Sequence, residues 1–165
     1  AGEASAPLER VTLASLPHSK DVALERDALM AFLQYGHRLD QEILTRVMGL
    51  TFRHPALEAV RAAVAAHVQD AARAGWALDA IQDIREPYRA LGGELLAANF
   101  PARDEDGAVA SASSLARGLL IRALDMEKAE LLGAVQRVPA ESDQGRALRV
   151  RLRDVDAERR RLTDA

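Results

Sequence analysis

Two narrow apolar stripes, separated by one short break, occupy the last third of this chain and constrain its fold more than any other feature. Leu120, Leu124, Leu131, Val135 and Val138 come at gaps of four, seven, four and three, which keeps them on one face of a helix. Pro139-Ala140-Glu141-Ser142 interrupts the pattern, with Ser142 placed to cap a second helix. Leu148, Leu152, Val155 and Leu162 then repeat the narrow stripe. Two such helices joined by a short link form an antiparallel hairpin, each arm of about 22 residues reaching roughly 33 Å. A hairpin of this kind has little core of its own, so it is expected to be the mobile end of the molecule and to gain from docking on something else.

The preceding sequence reads as a cluster of short helices. Residues 1–20 mix Gly2, Pro7, Pro17, Ser and Ala without a period, the pattern of a flexible interdomain tether. Asp21 is placed to cap a first helix with Leu29, Phe32 and Leu33 inward, ending at Gly36. A second runs from Asp40 to Met48 with Ile43, Leu44 and Val47 inward and stops at Gly49. Pro55 opens a third, along Leu57, Val60, Val64 and Val68. Trp76, Leu78, Ile81 and Ile84 suggest a fourth, and Pro87 opens a fifth carrying Tyr88, Leu91, Leu95 and Leu96. Phe100 to Gly107 reads as a loop, and the long helix is expected from about Ser111. No strand alternation persists, so the fold class is all-α: a bundle of about five to six helices over 21–113, then a hairpin over 114–165.

Composition bounds the function. No apolar run approaches the roughly 20 residues of a bilayer span, so no membrane partner is expected. The absence of cysteine excludes disulfides and thiolate metal sites and fits a cytoplasmic setting. A net charge of −3 argues against a surface that tracks nucleic acid throughout. The charge is uneven: residues 114–165 hold eleven Arg or Lys against nine Asp or Glu, about +2, which leaves about −5 for the rest. The chain begins Ala-Gly and shows no signal-peptide pattern, so it reads as a piece of a longer protein.

No catalytic motif stands out. His18, His37, His54 and His67 form no metal-ligand spacing, so neither metal nor cofactor is expected, and His54 before Pro55 suits a helix cap. Asp79, Asp83 and Glu86 fall at helical spacing, as expected of a solvated face. Gly92-Gly93 lacks the surroundings of a phosphate loop and suits close helix packing or a kink. Ser111, Ser113 and Ser114 suit a helix start. The arginines at 146, 149, 151, 153, 159, 160 and 161, set among only Asp154, Asp156 and Glu158, are open to three readings. They can form a salt-bridged coiled-coil face, a protein docking surface or, with the least support, a nucleic-acid surface.

Two segments resemble the C-terminal helicase-binding domain of bacterial DnaG-type replicative primases. Glu25-Arg26-Asp27-Ala28-Leu29 with Phe32-Leu33-Gln34-Tyr35 is similar to that domain's first helix, and Phe52-Arg53-His54-Pro55 with Leu57 and Val60 is similar to the start of its third. The long helix and its return over Ser142–Leu162 correspond in place and length to the family's terminal hairpin, while Gly36 departs from a proline often found there. The resemblance implies a non-catalytic domain of a primer-synthesising enzyme whose hairpin docks on the N-terminal domains of the hexameric DnaB-type replicative helicase. Docking would bring primer synthesis to the fork and modulate the helicase. The expected contact residues are Leu131, Leu132, Val135, Val138, Leu148, Arg149, Leu152, Arg153, Arg160 and Leu162. Of these, Leu131, Val135, Leu148 and Leu152 are the best suited to hold the hairpin together, which leaves Leu132, Arg149 and Arg153 as the sharper interface residues. The N-terminal helical domain of the helicase itself, a self-associating coiled-coil scaffold and a hairpin-swapped homodimer are the alternatives.

Overall fold

A computed structural model describes residues 9–165, and among them the chain is helical with no strand. The helices are α1 (Lys20–Tyr35), α2 (Gln41–Met48), α3 (Pro55–His67), α4 (Trp76–Gln82), α5 (Arg89–Ala97), α6 (Glu105–Arg137) and α7 (Asp143–Asp164). The all-α class expected from the sequence is met. The chain divides into two compact units, 1–116 and 117–165, so that α6 runs through the boundary.

The first unit buries the apolar faces anticipated from the helical periods. Phe32 and Leu29 of α1, Leu44 and Met48 of α2, Leu57 and Val60 of α3, and Leu91 and Leu95 of α5 lose essentially all contact with water. Burying a side chain of this size is worth about 1.5–3 kcal/mol, so this layer is the main source of the unit's stability. Asp40 caps α2 by accepting from the Ile43 N–H at 3.0 Å. His54 caps α3, its Nδ1 accepting from the Ala56 N–H at 3.2 Å, as its place before Pro55 suggested. Gly92 is the close approach expected of the Gly-Gly pair, since a Cβ there would overlap the Ile84 side chain. Gly36 does similar work: a Cβ would lie 3.1 Å from the Trp76 ring, so the glycine lets the tryptophan pack against the end of α1.

Several expectations are corrected. Residues 1–8 of the expected tether lie outside the described residues, but the remainder is tied down: the Val11 N–H donates to Pro87 O at 3.2 Å, the Leu13 N–H donates to the Glu94 carboxylate at 2.7 Å, and Leu16 is buried. Ser19, not Asp21, caps α1, its Oγ accepting from the Val22 N–H at 3.2 Å. Leu78 is 59% exposed because α4 is only two turns long and turns Trp76, Ala77, Ala80 and Ile81 inward instead. Val68 lies in a 3₁₀ turn, Val68–Asp70, beyond α3. Pro87 does not open α5, which starts at Arg89 with Tyr88 as its N-cap. The long helix begins at Glu105, before Gly107 and the serines at 111, 113 and 114, because Asp104 supplies the cap: its Oδ1 accepts from the Gly107 N–H at 2.7 Å. Arg38 then holds that first turn through Glu105 and Asp106 at 3.1 and 3.0 Å.

One buried charge matters for the same unit. Glu25 is fully buried, and its carboxylate accepts from the backbone N–H groups of Arg53 at 2.7 Å and His54 at 3.1 Å. A carboxylate at the start of a helix meets the positive end of the helix dipole as well as the unpaired donors there, which offsets its desolvation. Gln34 completes the join between α1 and α5, its amide donating to Leu95 O and Ala98 O at 2.9 and 2.8 Å.

Candidate protein-interaction site

The second unit is the hairpin, and its geometry is set by the link between the helices. Pro139 cannot continue α6, and Ser142 caps α7 by accepting from the Gly145 N–H at 3.0 Å while donating to Pro139 O at 2.6 Å. Gly145 is buried against the link, and a Cβ there would overlap the Pro139 carbonyl, so the tight return requires glycine. Two arginines then satisfy link carbonyls that have no helical partner: Arg146 donates to Glu141 O at 2.6 Å and Arg149 to Ala140 O at 2.7 Å.

The stripes meet as their periods required, although burial is partial. Leu120, Leu124 and Val155 are buried, whereas Leu131, Val135, Val138, Leu148, Leu152 and Leu162 are half-buried. Charged pairs flank the seam. Arg151 forms a two-point contact with Glu127 at 2.6 and 2.8 Å, Arg159 reaches Asp125 at 2.6 Å and Lys128 reaches Asp156 at 2.8 Å. The Arg151 hydrogen bond holds the Glu127 carboxyl below its ordinary value, against a smaller opposing effect of burial. Lys128 does the same to Asp156. Arg151 and Arg159, two of the clustered arginines, are thereby tied into the hairpin.

These pairs also tell the two flanks of the hairpin apart. Lys128 and Asp156 bring one flank of α6 beside one flank of α7. Leu132 and Gln136 lie one and two turns further along α6 on that flank, and in the antiparallel partner Arg153 and Arg149 lie one and two turns back from Asp156. Arg160 lies one turn beyond it. Leu132, Arg149, Arg153 and Arg160 therefore share a single flank, which the apolar spacing alone did not reveal. Leu132 is 47% exposed and all three arginines are exposed. Arg149 is engaged with the link, whereas Arg153 and Arg160 make no ion pair among the described residues. Two further exposed apolar residues, Met126 and Val150, point away from the seam and were not anticipated, since neither belongs to a stripe.

On the first unit each member of the acidic trio is paired: Asp79 with Arg73 at 3.3 Å, Asp83 with His67 at 2.5 Å and Glu86 with Arg89 at 3.1 Å. Leu33, His37, Arg73, Trp76, Leu78 and Leu96 line an open, mostly apolar cleft of about 470 Å³. Among the described residues no group of three or more His, Cys, Asp or Glu could hold a metal ion, and no helix is long and apolar enough to cross a membrane.

No family model matches the chain, and no curated protein matches its sequence. Among solved structures, the helicase binding domain of primase from Mycobacterium tuberculosis is similar, with a TM-score of 0.69 and 26% identity over 86% of this chain and 90% of that one. The resemblance expected from Glu25–Tyr35, Phe52–Val60 and the hairpin is thus met at the level of the whole fold.

Proposed function

We propose that this chain is the helicase-interaction domain of a DnaG-type primase, acting in the cytoplasm, whose hairpin docks on the N-terminal domains of a hexameric DnaB-type helicase. The observation that carries the reading is the hairpin itself, in a chain whose fold is similar to a primase helicase-binding domain. The hairpin is held by half-buried leucines and surface ion pairs, and it presents Leu132, Arg153 and Arg160 to solvent. An apolar anchor ringed by arginine is the composition that protein interfaces favour. The chain by itself recruits; primer synthesis and the catalytic residues for it belong to other parts of the parent protein, and no cofactor or metal is required here. The ten contact residues expected from the sequence divide accordingly. Leu131, Val135, Val138, Leu148, Leu152 and Leu162 hold the hairpin in register, while Leu132, Arg149, Arg153 and Arg160 face the partner.

The test is a calorimetric titration of the chain into the cognate helicase hexamer, beside a version ending at Arg137. Saturable binding that the truncation abolishes is expected. Equal binding by the truncated chain sinks the hairpin as the docking element. If the intact chain fails to bind and its mass rises with concentration, the self-associating or hairpin-swapped reading replaces this one. Assembly into a hexameric ring by the chain alone points to the helicase's own N-terminal domain.

A further inference from the structure

The two flanks of the hairpin differ in charge. Lys128, Arg149, Arg153, Arg159 and Arg160 stand with Asp125 and Asp156 on the flank that carries Leu132, five cations against two anions, a net of +3. The opposite flank holds Glu127, Glu130, Asp143, Asp154 and Glu158 with Arg137, Arg151 and Arg161, five anions against three cations, a net of −2. On the first flank the exposed Leu132 stands among a net excess of cations, of which Arg153 and Arg160 form no ion pair among the described residues, whereas the exposed Met126 and Val150 lie one turn from Glu130 and Asp154 on the acidic side.

Building on the helicase-docking reading, we propose that the basic flank alone is the contact surface, and that it fits an acidic helical face of the partner with an apolar recess for Leu132. Arg153 and Arg160 are seven residues apart, two turns or about 10 Å along α7, the spacing at which positions on one face of a facing helix repeat, so two carboxylates one heptad apart there would meet both. Leu132 lies at the level of Arg149 and Arg153, so the anchor sits between cations and not beyond them. That arrangement shields an apolar contact from water and makes the guanidinium pairs steer the encounter. Arg149, exposed on the same flank, also donates to Ala140 O and so holds the link and the start of α7 in place. A nucleic acid fits this flank poorly. Asp125 and Asp156 interrupt it, and the hairpin has no aromatic side chain on which a base could stack.

Binding kinetics to immobilised helicase hexamer, measured over a range of salt, test the proposal with variants whose far-UV circular dichroism is checked first. Arg153→Glu with Arg160→Glu is expected to slow association about tenfold and to flatten its salt dependence. Leu132→Asp is expected to speed dissociation about tenfold with little change in association. Glu130→Lys with Asp154→Lys, on the other flank, is expected to stay within about twofold of the parent. Arg153→Ala with Arg160→Ala repeats the first test without introducing negative charge, and slower association is again expected. The proposal is overturned if the acidic-flank pair weakens binding as much as the basic-flank pair, or if the basic-flank pair binds like the parent. It is also overturned if that pair loses affinity only for a fluorescent single-stranded oligonucleotide. In each of these cases loss of binding on truncation at Arg137 still upholds helicase docking, whereas failure of the intact chain to bind sinks both readings.

Discussion

The bundle and the hairpin are built from the same kind of amphipathic helix but bury very different amounts of apolar side chain. Of the buried apolar residues among those described, thirty-one lie at or before Ala116 and only four, Leu119, Leu120, Leu124 and Val155, lie after it. The first unit closes several helices around Phe32, Leu57 and Leu91, so each side chain meets neighbours on every side. A pair of helices offers each stripe a single partner, so Leu131, Leu148 and Leu152 stay half-wet and surface ion pairs border the seam. Such pairs contribute little each. The difference separates a part whose apolar side chains are packed on every side from a part whose apolar stripes stay half in water.

Four perturbations probe that contrast. Phe32→Ala is expected to destabilise the first unit by about 3–5 kcal/mol, read as a lower denaturant midpoint, since it empties a fully buried site. Gly145→Val is expected to reach about 1–3 kcal/mol through overlap with the Pro139 carbonyl. Its effect on amide exchange should be confined to the hairpin, and equal loss of protection around Phe32 would contradict the separation. Acidification should also act first on the hairpin. Glu127 and Asp156 are held below their ordinary values of 4.5 and 3.8 by Arg151 and Lys128, so the unfolded chain binds protons more readily than the folded one. The stabilisation is therefore present above those values and is lost as pH falls through the lower folded-state ones. Glu58 of the bundle is lowered too. Burial alone would raise it, but hydrogen bonds from Arg61 and the Phe52 N–H outweigh that, and the packed core around it should keep the bundle folded where the hairpin loosens. Exchange measured from about pH 6 down to about 3 checks the order. The smallest effect is expected from Glu127→Gln, within about 1 kcal/mol in thermal melting, because the pair it breaks is half in water.

Much of this was readable in the sequence, and each difference has its own physical cause. Asp40, His54 with Pro55, and Ser142 were legible as helix starts because a cap acts on an N–H two or three residues away. Asp104 escaped notice because it lies in a polar run that also reads as a loop, and the serines after it offered a rival start. Leu78 has the spacing of a core residue and is nonetheless exposed, because helical spacing cannot say how wide a face is covered. Glu25 stands inside the segment that carries the family resemblance, yet nothing local marks it as buried, since its donors are Arg53 and His54, 28 and 29 positions away.

The all-helical class, the bundle followed by a hairpin, and the apolar faces were legible from the residues alone, because these depend on periods and breaks within a few positions. Which arginines are tied up and which are left unpaired was settled only by the packing of α6 against α7. Arg151 and Arg159 meet Glu127 and Asp125 across the seam, while Arg153 and Arg160 form no ion pair among the described residues. All four lie on one helix with similar neighbours in sequence. What distinguishes them is the antiparallel register set by the tight return at Gly145, which no spacing along a single helix records.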